Sequence, residues 1–225
     1  MNNPDFRMVT KLHILLSCSI IMLFASVSYP LTLDEIVEKM QNKYEETKNS
    51  KADFTQTSIL KSIKQKQVSR GQVFIKKPGM MRWEYREPDA QLIVSDGKVI
   101  WFYVPADKQV MMSKVNGASD SYTLNVFLSG IGKLRDAFKI EFESEETVLQ
   151  SQYLLRLTPK KSHPNLTRLV IGINKKDFKV ETSSTYDIYG NQTTVSFSNI
   201  EMNKEISEDI FHFEIPNDVR VITQQ

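Results

Sequence analysis

Residues 71–110 decide the fold, and they read GQVFIKKPGMMRWEYREPDAQLIVSDGKVIWFYVPADKQV. Four short segments that contain Pro, Gly or Asp divide this stretch into strand-like runs, at 77–79, 87–89, 95–97 and 105–107. Such residues favour tight turns because they supply the backbone angles or the local hydrogen bonds that a chain reversal needs. The stretch therefore predicts a β-meander.

The strands of this meander carry apolar side chains on both faces. Alternate residues of a strand point to opposite sides of the sheet, so both alternating sets are apolar in the run 99–104, VIWFYV. The same holds more weakly for residues 80–85. A sheet with one face in water would alternate apolar and polar residues, so part of this sheet should be covered on both sides, by protein or by a ligand.

The first 28 residues have the layout of a secretory signal peptide. Arg7 and Lys11 precede the apolar run 14–27, which ends in small residues. We expect this segment to be cleaved. The mature protein is then a single domain of residues 29–225.

The only cysteine of the chain, Cys18, lies inside that apolar run. The residues before Cys18 loosely resemble a lipoprotein cleavage box, which would make it a lipid-bearing first residue. If cleavage instead falls near Ser28, the mature chain has no thiol for a disulfide or for catalysis. Met8 is an alternative start, because Lys11 alone would supply the positive charge of a leader.

One helix followed by many strands is predicted for the rest of the chain. Thr32 and Glu35, three residues apart, form a capping-box pattern, and apolar residues then recur at helical spacing up to Tyr44. Strand-like runs begin near Ala52 and, after the meander, resume at 138–142, 153–157, 167–173, 179–187, 192–200 and around 219–222. Together the runs indicate a mainly β fold of about 10–11 antiparallel strands, a strongly curved sheet or open barrel with helices on its concave side.

Between the two groups of strands lies a segment with helical spacing. Gly130 and Gly132 interrupt its apolar residues, which predicts two short helices or one broken helix: Leu124, Phe127, Leu128, Ile131, Leu134 and Phe138. One interpretation is a movable lid over the sheet. The other is an ordinary amphipathic helix that packs against the sheet permanently.

Charge and polar motifs exclude several classes of function. The chain has 29 basic and 27 acidic residues, without the clustered basic excess of a nucleic-acid-binding protein, and its lysine-rich run 61–70 is interpreted as a solvated hairpin. His163 and His212 have no second ligand at metal-binding spacing, and the sequence contains neither a nucleophile elbow nor a phosphate-binding loop. We therefore expect neither an enzyme nor a protein that holds a metal or another cofactor.

An ordered series of short motifs runs through nearly the whole mature chain. In the first half they are Phe54-x-Gln56, Gly71, Lys77-Pro78-Gly79, Arg82-Trp83, Tyr85, Pro88, Gln91, Ser95-Asp96-Gly97, Trp101, Tyr103 and Gln109-Val110. In the second half they are Asp187, Gly190-Asn191, Thr193, Phe197, Phe211-x-Phe213 and Pro216. In this order and spacing the motifs resemble the family of the periplasmic lipoprotein carrier LolA.

The resemblance implies an unclosed β-barrel with a helical lid, whose hydrophobic concave face holds the acyl chains of lipoproteins. It further implies a chaperone in the periplasm that accepts lipoproteins from an inner-membrane ABC-type release complex. The cargo is then passed to an outer-membrane acceptor, LolB or an equivalent. We expect the protein to act as a monomer, without a cofactor and without nucleic acid.

Candidate site residues follow from the resemblance together with the strand pattern. The acyl chains are assigned to aromatic residues of the strands and apolar residues of the lid: Phe74, Trp83, Tyr85, Trp101, Tyr103, Leu124, Phe127, Leu128 and Ile131. Because both strand faces are apolar, the pattern leaves open which face each of them occupies.

A second set of candidates lies in the turn 77–79 and directly after it. In the family an Arg before the Pro of this turn helps to close the lid by bonding to helix backbone. Lys77 stands at that position, as a latch or as a solvated turn lysine. Met80 and Met81 follow as an adaptable rim, or as ordinary strand residues.

Two other functions of the same fold remain open. An outer-membrane acceptor like LolB would be supported by a lipid-bearing Cys18. A module that senses mislocalised lipoproteins in envelope stress would usually carry a second domain, which we do not expect here.

Overall fold

The computed structural model describes residues 31–115, 134–143, 151–163 and 165–224. Within them the chain forms helix α1 (Leu33–Glu46), the single-turn helix α2 (Leu134–Ala137) and 3₁₀ turns at Pro105–Asp107 and Glu208–Phe211. The strands are β1 (Asn49–Leu60), β2 (Gln65–Lys76), β3 (Met80–Glu87), β4 (Gln91–Asp96), β5 (Val99–Val104), β6 (Gln109–Lys114), β7 (Phe138–Phe142), β8 (Gln152–Pro159), β9 (Arg168–Asn174), β10 (Val180–Tyr186), β11 (Gln192–Met202) and β12 (Arg220–Gln224).

The strands of the described residues form one sheet, in the order β12-β6-β5-β4-β3-β2-β1-β11-β10-β9-β8-β7. The two edge strands, β12 and β7, do not pair with each other, so the sheet is unclosed. The mainly β, open fold expected from the sequence is confirmed, with twelve described strands. One pair departs from the antiparallel expectation, because β12 runs parallel to β6. β12 is far from β6 in the sequence, because it follows β11 after the connection 203–219. The two parallel strands are therefore not consecutive and need no hairpin between them.

The turns between antiparallel strands alternate between two ends of the sheet. One end, here called the tip end, carries the β1–β2 turn at 61–64 and the β10–β11 turn at 187–191, which are neighbours because β1 pairs with β11. The opposite end carries the β2–β3 and β4–β5 turns. There a Cβ added to Gly79 would lie 3.2 Å from Cα of Gly97. The ends are separated by the length of β1, roughly 40 Å for its twelve residues.

Local signals define the start of α1, as the sequence predicted. The side chain of Thr32 accepts a hydrogen bond of 3.3 Å from the amide of Glu35, and the carboxylate of Glu35 accepts one of 2.8 Å from the amide of Thr32. This reciprocal pair is a capping box. The following residues Ile36, Val37 and Met40 are 0% exposed, and burying each contributes roughly 1.5–3 kcal/mol.

The stripe of α1 packs on one side of the sheet, which we call the helix face. Side chains of β8 to β10 on this face are fully buried and form one apolar cluster with the helix: Leu155, Leu157, Leu169, Ile171, Ile173 and Val180. Phe54 of β1 and Trp83 of β3 extend the same cluster across the sheet. The core therefore lies between α1 and the helix face.

The opposite side, the outer face, binds the C-terminal connection 203–219. Phe211 in this connection is 1% exposed. Arg82 donates a hydrogen bond of 2.9 Å from Nη1 to the carbonyl of Ile210, and Lys76 donates one of 3.2 Å to the carbonyl of Ile206. This segment supplies protein cover on the second apolar face of the meander.

Three sequence predictions concern residues outside the described ranges. They are the leader 1–28 with Cys18, the residues Leu124, Phe127, Leu128 and Ile131 of the candidate lid, and the two glycines between them. Leu134 and Phe138, at the end of the same helical pattern, are described and buried. Among the described residues, no helix combines the length and the apolar composition that a membrane span requires.

Candidate functional site

Strand pairing shows which predicted aromatic residues share a face. Directly paired residues of neighbouring strands point to the same side of a sheet. Trp83 of β3 pairs with Ile93 of β4, which pairs with Phe102 of β5. The five predicted strand residues consequently divide between the two faces: Trp83 and Tyr85 lie on the helix face, whereas Phe74, Trp101 and Tyr103 lie on the outer face.

The helix face of β3 to β6 presents an apolar surface that is only half-buried. We call it the β3–β6 surface, and it consists of Met81, Tyr85, Ile93, Ile100, Phe102 and Met111 around the buried Trp83. Farther along the same face, the residues of β8 to β10 under α1 are fully buried. A group of half-buried apolar side chains next to a fully buried core is suited to shelter an apolar ligand.

Sequence reasoning missed Ile93, Ile100, Phe102 and Met111 as members of this surface. The signal for Ile100 and Phe102 was present in the alternation of the run VIWFYV, but only the strand register tells which of its two apolar sets faces the helix. Ile93 and Met111 join them through pairing with Phe102. The set predicted to contact the acyl chains, with Trp101 and Tyr103, lies on the outer face.

A pocket of about 290 Å³ lies on the helix face at the tip end of the sheet. Its walls are partly polar, and its lining comprises Gln56, Ser58, Gln67, Ser69, Tyr85, Pro88, Asp89, Gln91, Ile93 and Phe102. The hydroxyl of Tyr85 donates a hydrogen bond of 3.0 Å to Oε1 of Gln56. Burial raises the pKa of Tyr85, so this hydroxyl remains neutral. The pocket thus continues the β3–β6 surface towards solvent through hydroxyl and amide groups.

The aromatic residues on the outer face have protein neighbours of their own. Phe213 of the C-terminal connection lies with its ring centroid 6.1 Å from Trp101 and 5.8 Å from Tyr103. The ammonium group of Lys51 lies 5.6 Å from the ring centroid of Phe74. These contacts pack the outer face, so its aromatic residues do not adjoin the β3–β6 surface.

Lys77, the candidate latch, contacts helix backbone. Its ammonium group donates hydrogen bonds to the carbonyls of Tyr44 and Glu45, in the last turn of α1. Burial lowers the pKa of Lys77, and the nearby carboxylate of Glu45 acts in the opposite direction. The solvated turn lysine of the alternative interpretation does not match this position. Whether the contact controls a lid stays a prediction.

The two candidate rim methionines are separated by the sheet. Met81 packs against the core cluster on the helix face, and Met80, one residue earlier, points to the outer face beside Lys76. Only Met81 therefore belongs to the β3–β6 surface.

The histidines take positions without metal-binding geometry. His163 accepts a hydrogen bond of 3.2 Å on Nδ1 from the amide of Asn165, and His212 is exposed. Across the ranges that the structure describes, no three side chains of His, Cys, Asp or Glu come together in a group that could hold a metal ion.

The sequence of this chain is similar to those of known proteins. The family model of the outer membrane lipoprotein carrier protein LolA matches residues 45–214. An outer-membrane lipoprotein carrier protein of Hahella chejuensis is 33% identical over 174 residues, which cover 77% of this chain and 81% of that protein. Another, from Methylococcus capsulatus, is 29% identical over 183 residues, 81% of this chain and 85% of that protein.

A solved structure shares the fold. The uncharacterized conserved protein from Thermus thermophilus superposes with a TM-score of 0.53 over 85% of this chain and 98% of its own. Its sequence is 14% identical, so the likeness is one of fold alone.

Proposed function

This chain belongs to the family of the outer membrane lipoprotein carrier protein LolA, and we propose that it carries lipoproteins by sheltering their acyl chains on the β3–β6 surface. The observation that supports this assignment is the half-buried apolar set around Trp83, next to a core that is otherwise complete. These side chains still have apolar area that a ligand could cover.

A carrier has to bind acyl chains without holding them irreversibly. Three chains of about 16 carbons, at roughly 0.8 kcal/mol per buried methylene, would gain tens of kcal/mol if they were fully removed from water. If the surface covers the chains incompletely, their binding releases less free energy. Closure of the protein over the empty site then recovers free energy when the cargo leaves. The partly polar pocket at the tip end fits incomplete coverage, because its amides and hydroxyls would leave part of a chain near water.

The route of the cargo is the finer part of the proposal. We infer that the protein works in the periplasm after removal of its leader, receives lipoproteins from an inner-membrane ABC-type complex and delivers them to LolB or an equivalent acceptor. Lys77 is assigned to lid closure, and Leu124, Phe127, Leu128 and Ile131 of the lid are assigned to contacts with the acyl chains. The protein is proposed to act as a monomer and to catalyse no reaction of its own.

Neighbouring residues on β5 allow a matched test. A photo-crosslinking amino acid at Phe102 points to the helix face, and the same residue at Tyr103 points to the outer face. With a triacylated lipoprotein, we expect crosslinks to the acyl chains from position 102 and few from position 103. A lipoprotein without acyl chains should give crosslinks from neither.

Two results would overturn the proposal. Equal capture of triacylated and deacylated lipoprotein would show that the protein does not recognise acyl chains. Stronger crosslinking from position 103 than from position 102 would place the cargo on the outer face instead.

A further inference from the structure

Exposed apolar side chains concentrate at the tip end of the sheet. Ile63 in the β1–β2 turn is 64% exposed, and Ile188 and Tyr189 in the β10–β11 turn are 58% and 77% exposed. Leu60, at the end of β1, is 43% exposed. We call these four residues, together with Lys61, Lys64 and Lys66, the tip patch.

The two turns of the tip patch form one continuous structure. The amide of Lys61 donates a hydrogen bond of 3.0 Å to Oδ1 of Asn191, which joins the turns directly. Oδ1 of Asp187 accepts hydrogen bonds of 2.8 Å from the amide of Tyr189 and 2.9 Å from that of Asn191. This internal bonding holds the β10–β11 turn in the conformation that keeps Ile188 and Tyr189 outside, so their exposure belongs to the ordered fold.

The charge of the tip patch is positive. Lys61, Lys64 and Lys66 are exposed, and Asp187 is the one acidic residue in the two segments 60–66 and 187–191. The carboxylate of Asp187 is engaged by the turn that it stabilises. On the next turn, Asp89 adds one exposed carboxylate, which leaves the basic excess in place.

We propose that the tip patch is a peripheral docking site for an anionic phospholipid bilayer. Apolar side chains on turn tips insert into the headgroup region, tyrosine favours that interface, and lysines bind phosphate groups while their stems cover apolar surface. Lysine is depleted in protein interfaces, so its abundance around Ile63 and Tyr189 favours a lipid surface over a protein partner. The inference goes beyond the proposed function, since the protein should dock with or without cargo.

Vesicle sedimentation tests the proposal with matched variants. The probes are vesicles of phosphatidylcholine alone and of phosphatidylcholine with phosphatidylglycerol. The apolar test variant is Ile63→Ser/Ile188→Ser/Tyr189→Ser. Its control changes three exposed apolar residues outside the tip patch, which are 42–46% exposed: Phe142→Ser/Ile215→Ser/Val221→Ser. The charge test variant is Lys64→Gln/Lys66→Gln, and its control removes two exposed lysines from the opposite end: Lys98→Gln/Lys176→Gln. The wild type and the four variants have the same N-terminal segment, so any vesicle binding by that segment is the same in all of them.

The wild type should sediment with the vesicles that contain phosphatidylglycerol. Each lysine near an anionic surface is worth roughly fivefold in affinity, so the charge variant should bind roughly 25-fold more weakly. The apolar variant should lose binding, and both controls should keep it. Circular dichroism and urea unfolding confirm that each variant is folded, and acyl-chain crosslinking from position 102 is measured separately as the readout of the proposed function.

Three outcomes would overturn the inference. The wild type could show no preference for phosphatidylglycerol, the two tip variants could bind as well as the wild type, or the controls could lose as much binding as the tip variants. Loss of acyl-chain crosslinking with intact vesicle binding would contradict the proposed function and leave the docking site standing.

Discussion

The ammonium group of Lys77 bonds to the backbone carbonyl of Tyr44 and thereby ties the turn after β2 to the last turn of α1. Carbonyls in the last turn of a helix lack partners within the helix, and the helix dipole favours a cation there. The neighbouring carbonyl of Glu45 lies 3.5 Å from the same nitrogen. One flexible side chain thus joins the sheet to the helix that covers its core.

Replacing this lysine should impair the release of cargo. In Lys77→Leu the carbonyl of Tyr44 loses the ammonium donor and keeps the amide of Thr47, at 3.2 Å, as a donor. Loss of this charged hydrogen bond should lower the free energy of unfolding by about 1–2 kcal/mol and slow the transfer of bound lipoprotein to an acceptor. Lys77→Arg should retain transfer because the guanidinium group still donates.

Lys76 provides the control for this experiment. It is the preceding residue and also donates to a backbone carbonyl, that of Ile206, but on the outer face. Lys76→Leu should reduce stability without slowing transfer. Transfer by Lys77→Leu at the wild-type rate would reject the role of Lys77 as a latch.

Tyr44 also stabilises the core through its hydroxyl group. The buried amide of Val180 donates a hydrogen bond of 3.1 Å to this oxygen. Burial raises the pKa of Tyr44, so the hydroxyl stays neutral at physiological pH. Tyr44→Phe leaves a buried amide without this acceptor and should lower the free energy of unfolding by about 1–3 kcal/mol in urea titrations.

Tyr189→Phe is the matched control, because Tyr189 is 77% exposed. It should change stability by less than about 0.5 kcal/mol. An equal effect of the two substitutions would show that the bond to Val180 contributes nothing.

Local sequence signals predicted much of this fold. The capping box of α1 depends only on Thr32 and Glu35, and β7 occupies the predicted residues 138–142. Both follow from residues that are neighbours in the chain. The unclosed sheet followed from the number of strands and from the resemblance of the motifs.

The faces of the aromatic residues could not be predicted in the same way. Trp101 and Phe102 are neighbouring aromatic residues of β5 that point to opposite sides of the sheet. Which of them faces α1 depends on the pairing of β5 with β4 and of β4 with β3. The cover of the outer face by Phe213 depends on a contact between distant parts of the chain. A pattern that is apolar on both faces contains neither piece of information.

The C-terminal connection should contribute strongly to stability through Phe211. This residue is 1% exposed on the outer face, so Phe211→Ala should cost about 3–5 kcal/mol, measured by urea unfolding. Phe142, 46% exposed on the edge strand β7, is the control and should cost far less when replaced by alanine. Similar losses for the two variants would show that the connection is not a stabilising part of the outer face.

The carboxylate of Asp53 should make stability depend on acid pH. It accepts hydrogen bonds from Asn199, at 2.8 Å, and from Gln72, at 2.9 Å, and these bonds lower the pKa of Asp53. Its stabilising effect is therefore present above the unfolded pKa of about 3.9 and is lost as the pH falls through the lower folded pKa. The difference in unfolding free energy between wild type and Asp53→Asn should shrink from pH 6 towards about pH 3. A difference that stays constant over this range would contradict the assignment.

Gly71 should tolerate no side chain, because β2 and β3 approach each other closely at this point. A Cβ on Gly71 would lie 1.9 Å from the carbonyl oxygen of Glu84 and 2.9 Å from the ring of Phe54. The first of these atoms is backbone, so β3 itself would have to move. Gly71→Ala should therefore lower the free energy of unfolding by about 3 kcal/mol or more. Gly190→Ala is the comparison, since Gly190 has a φ of +76° in an exposed turn and alanine there should cost only about 1–2 kcal/mol. If urea titrations ranked Gly190→Ala as the more damaging change, the close approach of the two strands would not be what requires glycine at position 71.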